Sequence, residues 1–275
     1  MGRHAMKTAN GIPLLGYGTY PLTGAECRDG VAMALDLGLR HIDTAQLYDN
    51  EKDVGQAIAK SGIQREEIFL VTKVARDNLG RRHFTHSVDE SLGKLGVEQV
   101  DLLLIHWPPD EQDFDSAIES LCVAQTSGLA RAIGVSNFTI PLMKRAAKRA
   151  TQPLVNNQVE FHALLDQSRV RAEAEKLGIV LSAYSPLGRG AVLKDPAVID
   201  VSKRLARPPS EIALRWIIQQ GVVAVPMTTK KENARSNMRI FDFELSPADM
   251  AKLAAASKQN RRLISPTGWA PKWDM

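Results

Sequence analysis

Cysteine is scarce in this chain. Only Cys27 and Cys122 occur in 275 residues. Two thiols do not build a disulfide framework, and both fall at apolar positions of helical patterns, so they read as core thiols. Long apolar runs are also missing; nothing approaches the ~18 residues of a membrane span. The basic start, Met1 to Lys7, is followed by Thr8, Asn10 and Gly11 where a secretory signal needs an apolar core. Met6 is a second candidate start. The cytoplasm is therefore the default compartment, with no membrane partner expected. Charge of one sign is not in excess either. Lys and Arg number 35 against 31 Asp and Glu, leaving a formal +4, too weak a footprint to argue for nucleic acid. No Walker motif occurs. Gly16-Tyr17-Gly18 lacks the third glycine of a dinucleotide fingerprint and precedes the first expected strand. The histidines lack a tight cluster with Asp or Glu, so no metal is expected and a metal-dependent sugar isomerase is a poor alternative.

What is present is alternation. Apolar residues make up 44% and charged residues 24%, ordinary values for a globular protein. Short apolar runs predict strands at Leu39–Asp43, Ile68–Val74, Val100–Ile105, Ile133–Val135, Leu154–Val159, Ile179–Tyr184 and Val222–Val225. Amphipathic stripes between them predict helices. Thr23 and Glu26 suggest a capping box for the first, Ser210 caps a later one, and Ser246-Pro247 opens the last. An eighth strand is placed near Ile240–Phe241. With no composition break, residues 1–275 read as one domain. Repeated strand–helix units of about 30 residues imply a parallel sheet with helices outside. The predicted fold is α/β, a (β/α)8 TIM barrel, favoured over an open doubly wound sheet. Gly11-Ile12-Pro13 reads as a turn in an N-terminal hairpin closing the barrel floor.

Polar groups recur where these strands end. Asp43-Thr44 with Tyr48 follow the first, Lys73 ends the second and His106 the third. Ser136-Asn137, Gln158, Tyr184-Ser185 and Thr228-Thr229 follow in turn. Catalytic groups of barrel enzymes come from these ends. Each residue alone has a bland explanation, as a cap, a solvated end or a satisfied core histidine. Together they converge on one mouth.

These motifs resemble the aldo-keto reductase family. Asp43-Thr44-Ala45-Gln46-Leu47-Tyr48 looks like its Asp-Thr-Ala-x-x-Tyr signature. Val71-Thr72-Lys73 resembles its lysine strand and Leu104-Ile105-His106-Trp107-Pro108 its histidine strand. Gly134-Val135-Ser136-Asn137-Phe138, Asn157-Gln158-Val159-Glu160 and Ala183-Tyr184-Ser185-Pro186-Leu187 complete the set in order. The ending, Arg262 to Pro266 with Ala270 to Asp274, looks most like the bacterial 2,5-diketo-D-gluconate reductase branch.

The resemblance implies reversible, NAD(P)H-dependent reduction of aldehydes, ketones, dicarbonyls or keto sugars. Tyr48 would be the general acid, with Asp43, Lys73 and His106 around it. A free tyrosine, with a pKa of about 10, is a weak acid for neutral pH. A cation beside it favours phenolate, and Asp43 would keep Lys73 charged. His106 would orient the carbonyl. Thr19, Asp43, Ser136, Asn137, Gln158, Tyr184, Ser185, Leu187 and Arg189 are the implied contacts to the nicotinamide half of the cofactor. Met227, Thr228, Thr229, Lys230, Asn233 and Asn237 are those to the adenosine half. Many family members carry lysine and arginine where Met227 and Asn233 stand here. NADP(H) is nonetheless expected ahead of NAD(H), because Lys230 and the two threonines precede a helix N-terminus that favours anions. Tyr20, Tyr48, His106, Trp107 and Trp269 are implied to contact substrate. A cofactor-binding, redox-sensing regulatory subunit is the alternative function. A monomer is the family-level expectation.

Overall fold

The computed structural model describes residues 7–274. Residues 1–6, with the candidate start at Met6 and all of the basic start but Lys7, lie outside them. Strands β1 (Thr8–Ala9) and β2 (Ile12–Pro13) form an antiparallel hairpin. Its turn is Asn10-Gly11, one residue earlier than expected, with positive φ at both (52° and 82°). That geometry suits a tight hairpin and favours this residue pair.

Among the described residues eight parallel strands follow: β3 (Tyr17–Gly18), β4 (His41–Asp43), β5 (Phe69–Val74), β6 (Val100–Ile105), β7 (Ala130–Ser136), β8 (Leu154–Glu160), β9 (Val180–Tyr184) and β10 (Val223–Ala224). They pair in chain order from β3 to β10. The two ends then meet. Gly16 N–H donates to Ala224 O, Ala224 N–H to Leu14 O, and Gly18 N–H to Pro226 O. A bridge between Leu15 and Ala224 completes the closure. Helices α1 (Gly24–Asp36), α2 (Glu51–Lys60), α3 (Phe84–Leu95), α4 (Phe114–Thr126), α5 (Ile140–Arg149) and α6 (Ser168–Lys176) return the chain between strands. Between β9 and β10 come α7 (Pro196–Leu205) and α8 (Pro209–Ile218); α9 (Lys231–Met238) and α10 (Pro247–Ser257) follow β10.

The count of eight barrel strands is as expected, but closure corrects the placement of one of them. That strand is not at Ile240–Phe241, which belongs to a 3-10 turn, Arg239–Phe241. It is β3, within the Gly-Tyr-Gly segment read as preceding the first strand. Glycine fits there because a Cβ on Gly16 would lie 2.9 Å from the His41 ring. Two helix caps also differ. Thr23 makes no side-chain cap; Gly24 N–H donates instead to the Asp53 carboxylate of α2 at 2.8 Å. Ser210 lies inside α8, which starts at Pro209 behind Pro208. Ser246 forms the expected cap on α10, reciprocated by Asp249. Cys27 and Cys122 are both buried and unbridged.

Period-two alternation divides the strands' side chains into two cores. Val71, Leu102, Leu104, Val223 and Val225 pack with Ile12 of the hairpin in one cluster, the filled barrel interior. A larger cluster lies between strands and helices. Lys73 is two residues beyond Val71, so it shares the interior face one layer nearer the strands' C-terminal ends. Fully burying an aliphatic side chain contributes roughly 1.5–3 kcal/mol. The apolar layers thus offset the buried charge that sits on top of them.

Candidate active site

At that end the polar residues leave the strands and meet. Asp43 ends β4, Lys73 lies near the end of β5, and His106 directly follows β6. Lys73 is fully buried. An ammonium has three protons to donate, and burying them without acceptors is costly. Here all three are used. Nζ donates to Asp43 Oδ1 at 2.6 Å, to Thr44 O at 2.8 Å and to Tyr48 Oη at 3.3 Å. Burial pushes the Lys73 amine down, but Asp43 and Tyr48 together outweigh it and hold the group above its ordinary value. Lys73 therefore stays cationic at neutral pH.

The bond to Tyr48 has a consequence. Lys73 donates into a lone pair of the phenol oxygen, so the phenol's own proton remains available to another acceptor. Burial raises the Tyr48 phenol, Lys73 lowers it, and the net direction is upward. The expectation of a lowered value is corrected on this point, since burial exceeds the cation's pull. Tyr48 thus holds its proton at neutral pH. Its ring stands nearly perpendicular to that of His106, centroids 5.5 Å apart. Burial, then the Lys73 charge, depress His106 well below its ordinary value, so the imidazole is neutral. Its Nδ1 is buried without a hydrogen-bond partner among the described residues.

A second network adjoins the first. Asp43 Oδ2 accepts from Gln158 Nε2 at 2.7 Å. Ser136 Oγ donates to Gln158 O at 2.7 Å. Asn137 Nδ2 donates to His106 O and to Ser136 Oγ, and its Oδ1 accepts from the Tyr184 hydroxyl at 2.8 Å. Burial, then Glu160, raise the Tyr184 phenol. A cavity of about 730 Å³ opens beside both networks. Tyr48, His106, Asn137, Gln158 and Tyr184 line it, as do Thr19, Asp43, Ser185, Leu187 and Arg189. Tyr20, Trp107 and Trp269 line it too, and so does Met227. Lys73 and Ser136 stand behind the wall. Asn137, Ser185 and Arg189 hold positive φ values of 65°, 47° and 51°. Non-glycine residues seldom adopt that conformation, and it concentrates at functional sites.

Of the residues expected at the adenosine end, Met227 lines the cavity and the others lie outside its lining. Thr228, Thr229 and Lys230 form the turn before α9; Asn233 is exposed on that helix and Asn237 buried in it. The Tyr17 hydroxyl donates to Thr228 O, while Thr228 Oγ1 accepts from Lys230 N–H and from Asn233. Leu47, Val225, Pro226 and Ile264 also line the cavity but were not singled out in the sequence. Leu47 sits inside the Asp-Thr-Ala-x-x-Tyr stretch, where its position was a usable signal. Ile264 sits inside the Arg262 to Pro266 ending, which resembles the diketogluconate reductase branch but was not read as a cavity wall. Among the described residues no three His, Cys, Asp or Glu side chains are gathered as for a metal, and no helix is long and apolar enough to cross a membrane.

A model of the aldo/keto reductase family matches residues 11–258. Methylglyoxal reductase DkgB of Escherichia coli O157:H7 is 41% identical over 266 residues, 96% of this chain and 99% of that protein. A crystal structure provisionally named 2,5-diketo-D-gluconic acid reductase B superposes with a TM-score of 0.94 at 42% identity, covering 96% of this chain and 94% of the other. The Bombyx mori aldo-keto reductase in complex with NADP gives a TM-score of 0.87 at 32% identity, covering 94% and 93%.

Proposed function

The chain belongs to the aldo/keto reductase family, and from that premise we propose how its residues divide the work of carbonyl reduction. The protein is an oxidoreductase that reduces carbonyl compounds with a nicotinamide cofactor. The single observation that carries the division of labour is Lys73 Nζ donating to Tyr48 Oη within a fully satisfied buried ion pair.

Tyr48 is the proton donor. Its hydroxyl keeps its hydrogen while Lys73 occupies a lone pair, so it delivers that proton to the carbonyl oxygen as negative charge develops there. Interactions that strengthen with that charge are the ones that accelerate the step. Lys73 then stabilises the phenolate left behind, and Asp43 keeps Lys73 charged. Neutral His106 donates a second hydrogen bond to the same oxygen and so fixes the carbonyl's orientation. In the reverse direction Tyr48 takes the proton back. The cofactor, when bound, supplies the hydride that the carbonyl carbon accepts.

The cavity fits a nicotinamide. Asn137 and Gln158 present a carboxamide-binding set, with Ser136 behind them tying both by hydrogen bonds. Tyr184 offers a ring face, and Ser185, Leu187 and Arg189 form a turn for the pyrophosphate. Thr19 and Met227 flank the same slot. Thr228, Thr229 and Lys230 take the 2′-phosphate of NADP(H), with Asn233 and Asn237 beside the adenine, so NADP(H) binds ahead of NAD(H). Tyr20, Trp107, Trp269 and Ile264 make the substrate walls apolar. That favours small uncharged carbonyls, with methylglyoxal first and keto-sugar acids after it. The whole chain works as one cytoplasmic barrel domain and as a monomer.

The test follows the absorbance of NADPH and of NADH against methylglyoxal, an aromatic aldehyde and 2,5-diketo-D-gluconate. Wild-type protein should turn over at least the first two. Tyr48→Phe should lose about 10²–10⁴ in kcat, the usual worth of a general acid. Full activity in the variant would refute the donor assignment. Cofactor binding without turnover of any carbonyl would shift the function to a redox-sensing subunit.

A further inference from the structure

One buried carboxylate takes no part in the chemistry above. Glu160 ends β8 and is fully buried. It lies two residues past Gln158, on the same face, and in register with Tyr184. Its oxygens reach the C-terminal segment rather than the cavity. Oε1 accepts from Leu263 N–H at 2.7 Å, and Oε2 accepts from Ile264 N–H at 2.9 Å. Oε1 also contacts His162 Nε2 at 2.9 Å. Leu164 N–H donates to His162 Nδ1 at 3.2 Å, which places the imidazole proton on Nε2 and makes His162 a donor to Glu160.

The segment it holds is an irregular strap, outside every helix and strand. Arg262 stacks on Trp273 at 3.7 Å, and Trp273 faces Trp107. Arg76 donates to Gly268 O, and Ile140 N–H donates to the Asp274 carboxylate. Those anchors fix the strap's far part. Next to Ile264, which lines the cavity beside Trp269, the strap's two adjacent N–H groups both end on Glu160. Two charge-assisted bonds to one rigid strand-borne carboxylate set where that wall stands.

We propose that Glu160 is a positioning residue for substrate selectivity, holding the Leu263-Ile264 stretch as the cavity wall that grips bulky carbonyls. Glutamine at this position keeps the size but offers one acceptor and turns an N–H₂ toward one strap donor. The wall loosens while the Asp43, Tyr48, Lys73 and His106 cluster stays in place. The substrate arm of this inference rests on the reductase reading, and the proteolytic arm does not.

The experiment compares wild type, Glu160→Gln, Ile264→Ala and the double variant. KM for an aromatic aldehyde should rise about tenfold in Glu160→Gln, the scale of a lost charged hydrogen bond. The kcat for methylglyoxal and the Kd for NADPH, read by fluorescence, should stay within about twofold on the same reasoning. Ile264→Ala should raise the same KM and absorb most of the effect of Glu160→Gln in the double variant, as expected of two groups acting through one wall. Trypsin should cut after Arg261 and Arg262 at least about fivefold faster in Glu160→Gln, because cleavage follows local opening. Unchanged tryptic cutting, or equal losses of kcat for small and large aldehydes with weakened NADPH binding, would overturn the proposal. Should Glu160→Gln fail to fold, Leu263→Pro removes one strap donor from the half-buried side, and the same readouts decide.

Discussion

The Lys73 and Glu211 clusters both bury a charge, and of the two only the first stands beside the cavity. Around Lys73, an ammonium is sealed by Asp43, Thr44 O and the Tyr48 phenol. Around Glu211, a fully buried carboxylate of α8 accepts from Ser236 at 2.7 Å, from Arg239 at 2.6 and 2.9 Å and from Arg207 at 3.0 Å. Burial pushes Glu211 up, but these donors outweigh it and hold it below its ordinary value. Each of these partners is a permanent donor, and two are arginines whose other ends reach solvent. The cluster stitches α8 to α9 and has nothing left to give. Lys73 instead spends its third proton on a group that can itself lose one, beside the cavity. On the reading proposed above, a buried charge becomes chemistry when one of its partners is titratable and accessible to ligand.

Substitutions should separate the two clusters, beginning where the effect is greatest. Lys73→Met leaves Asp43 buried without its cation, a loss of about 3–5 kcal/mol in stability. It should also lower kcat by about a hundredfold or more, read by the NADPH assay alongside urea unfolding. Glu211→Gln should cost less, about 1–3 kcal/mol, because the two arginines can turn to water. Its kcat should stay within about twofold of wild type, and a matching fall in kcat would end the distinction.

pH offers a finer separation. The folded protein depresses His106 and His41 below 6.5, mainly by burial. The unfolded chain therefore takes up protons first, and stability falls as pH drops below that value. On the alkaline side burial pushes the Cys27 thiol from 9.0 up to about 12. Unfolded thiol ionises first, so stability declines once pH passes 9.0. Tyr48 is held above 10.0, so the reduction rate should persist between these two values while Tm already falls. A rate that drops in step with Tm would tie activity to Cys27 and global stability rather than to Tyr48. The smallest effect expected is at the adenosine end. Lys230→Ala should raise the KM for NADPH about fivefold and leave NADH unchanged, in line with one exposed phosphate contact.

Part of this architecture was readable locally. Seven of the barrel strands and most helices between them announce themselves through apolar runs and stripes, because period and burial are linked residue by residue; α7 (Pro196–Leu205) was not among them. β3 did not. It is two residues long and bounded by glycine, and the reason for Gly16 is the ring of His41 on the neighbouring strand, beyond the whole of α1 in sequence. Ile240 misled in the opposite sense: it is fully buried, but in the cluster between strands and helices, so its apolarity marks core and not strand. Thr23 failed as a cap because Asp53, on another helix, reaches the first N–H of α1 instead. In the site, the motif-bearing residues drew attention through their placement at strand ends. The contact between Glu160 and the ending stayed hidden, since a carboxylate gripping two backbone N–H groups far downstream leaves no pattern along the chain.

The order of amino acids alone determined the alternation of strand and helix, the parallel sheet, and which titratable residues end the strands. Those properties follow from side-chain period and polarity, which neighbours in sequence share. Only the tertiary structure decided that the stretch from Leu14 to Gly18 closes the barrel, that Lys73 donates to Tyr48 and not merely to Asp43, and that burial leaves the phenol protonated. Distances and desolvation belong to atoms brought together from distant parts of the chain, and no local pattern encodes them.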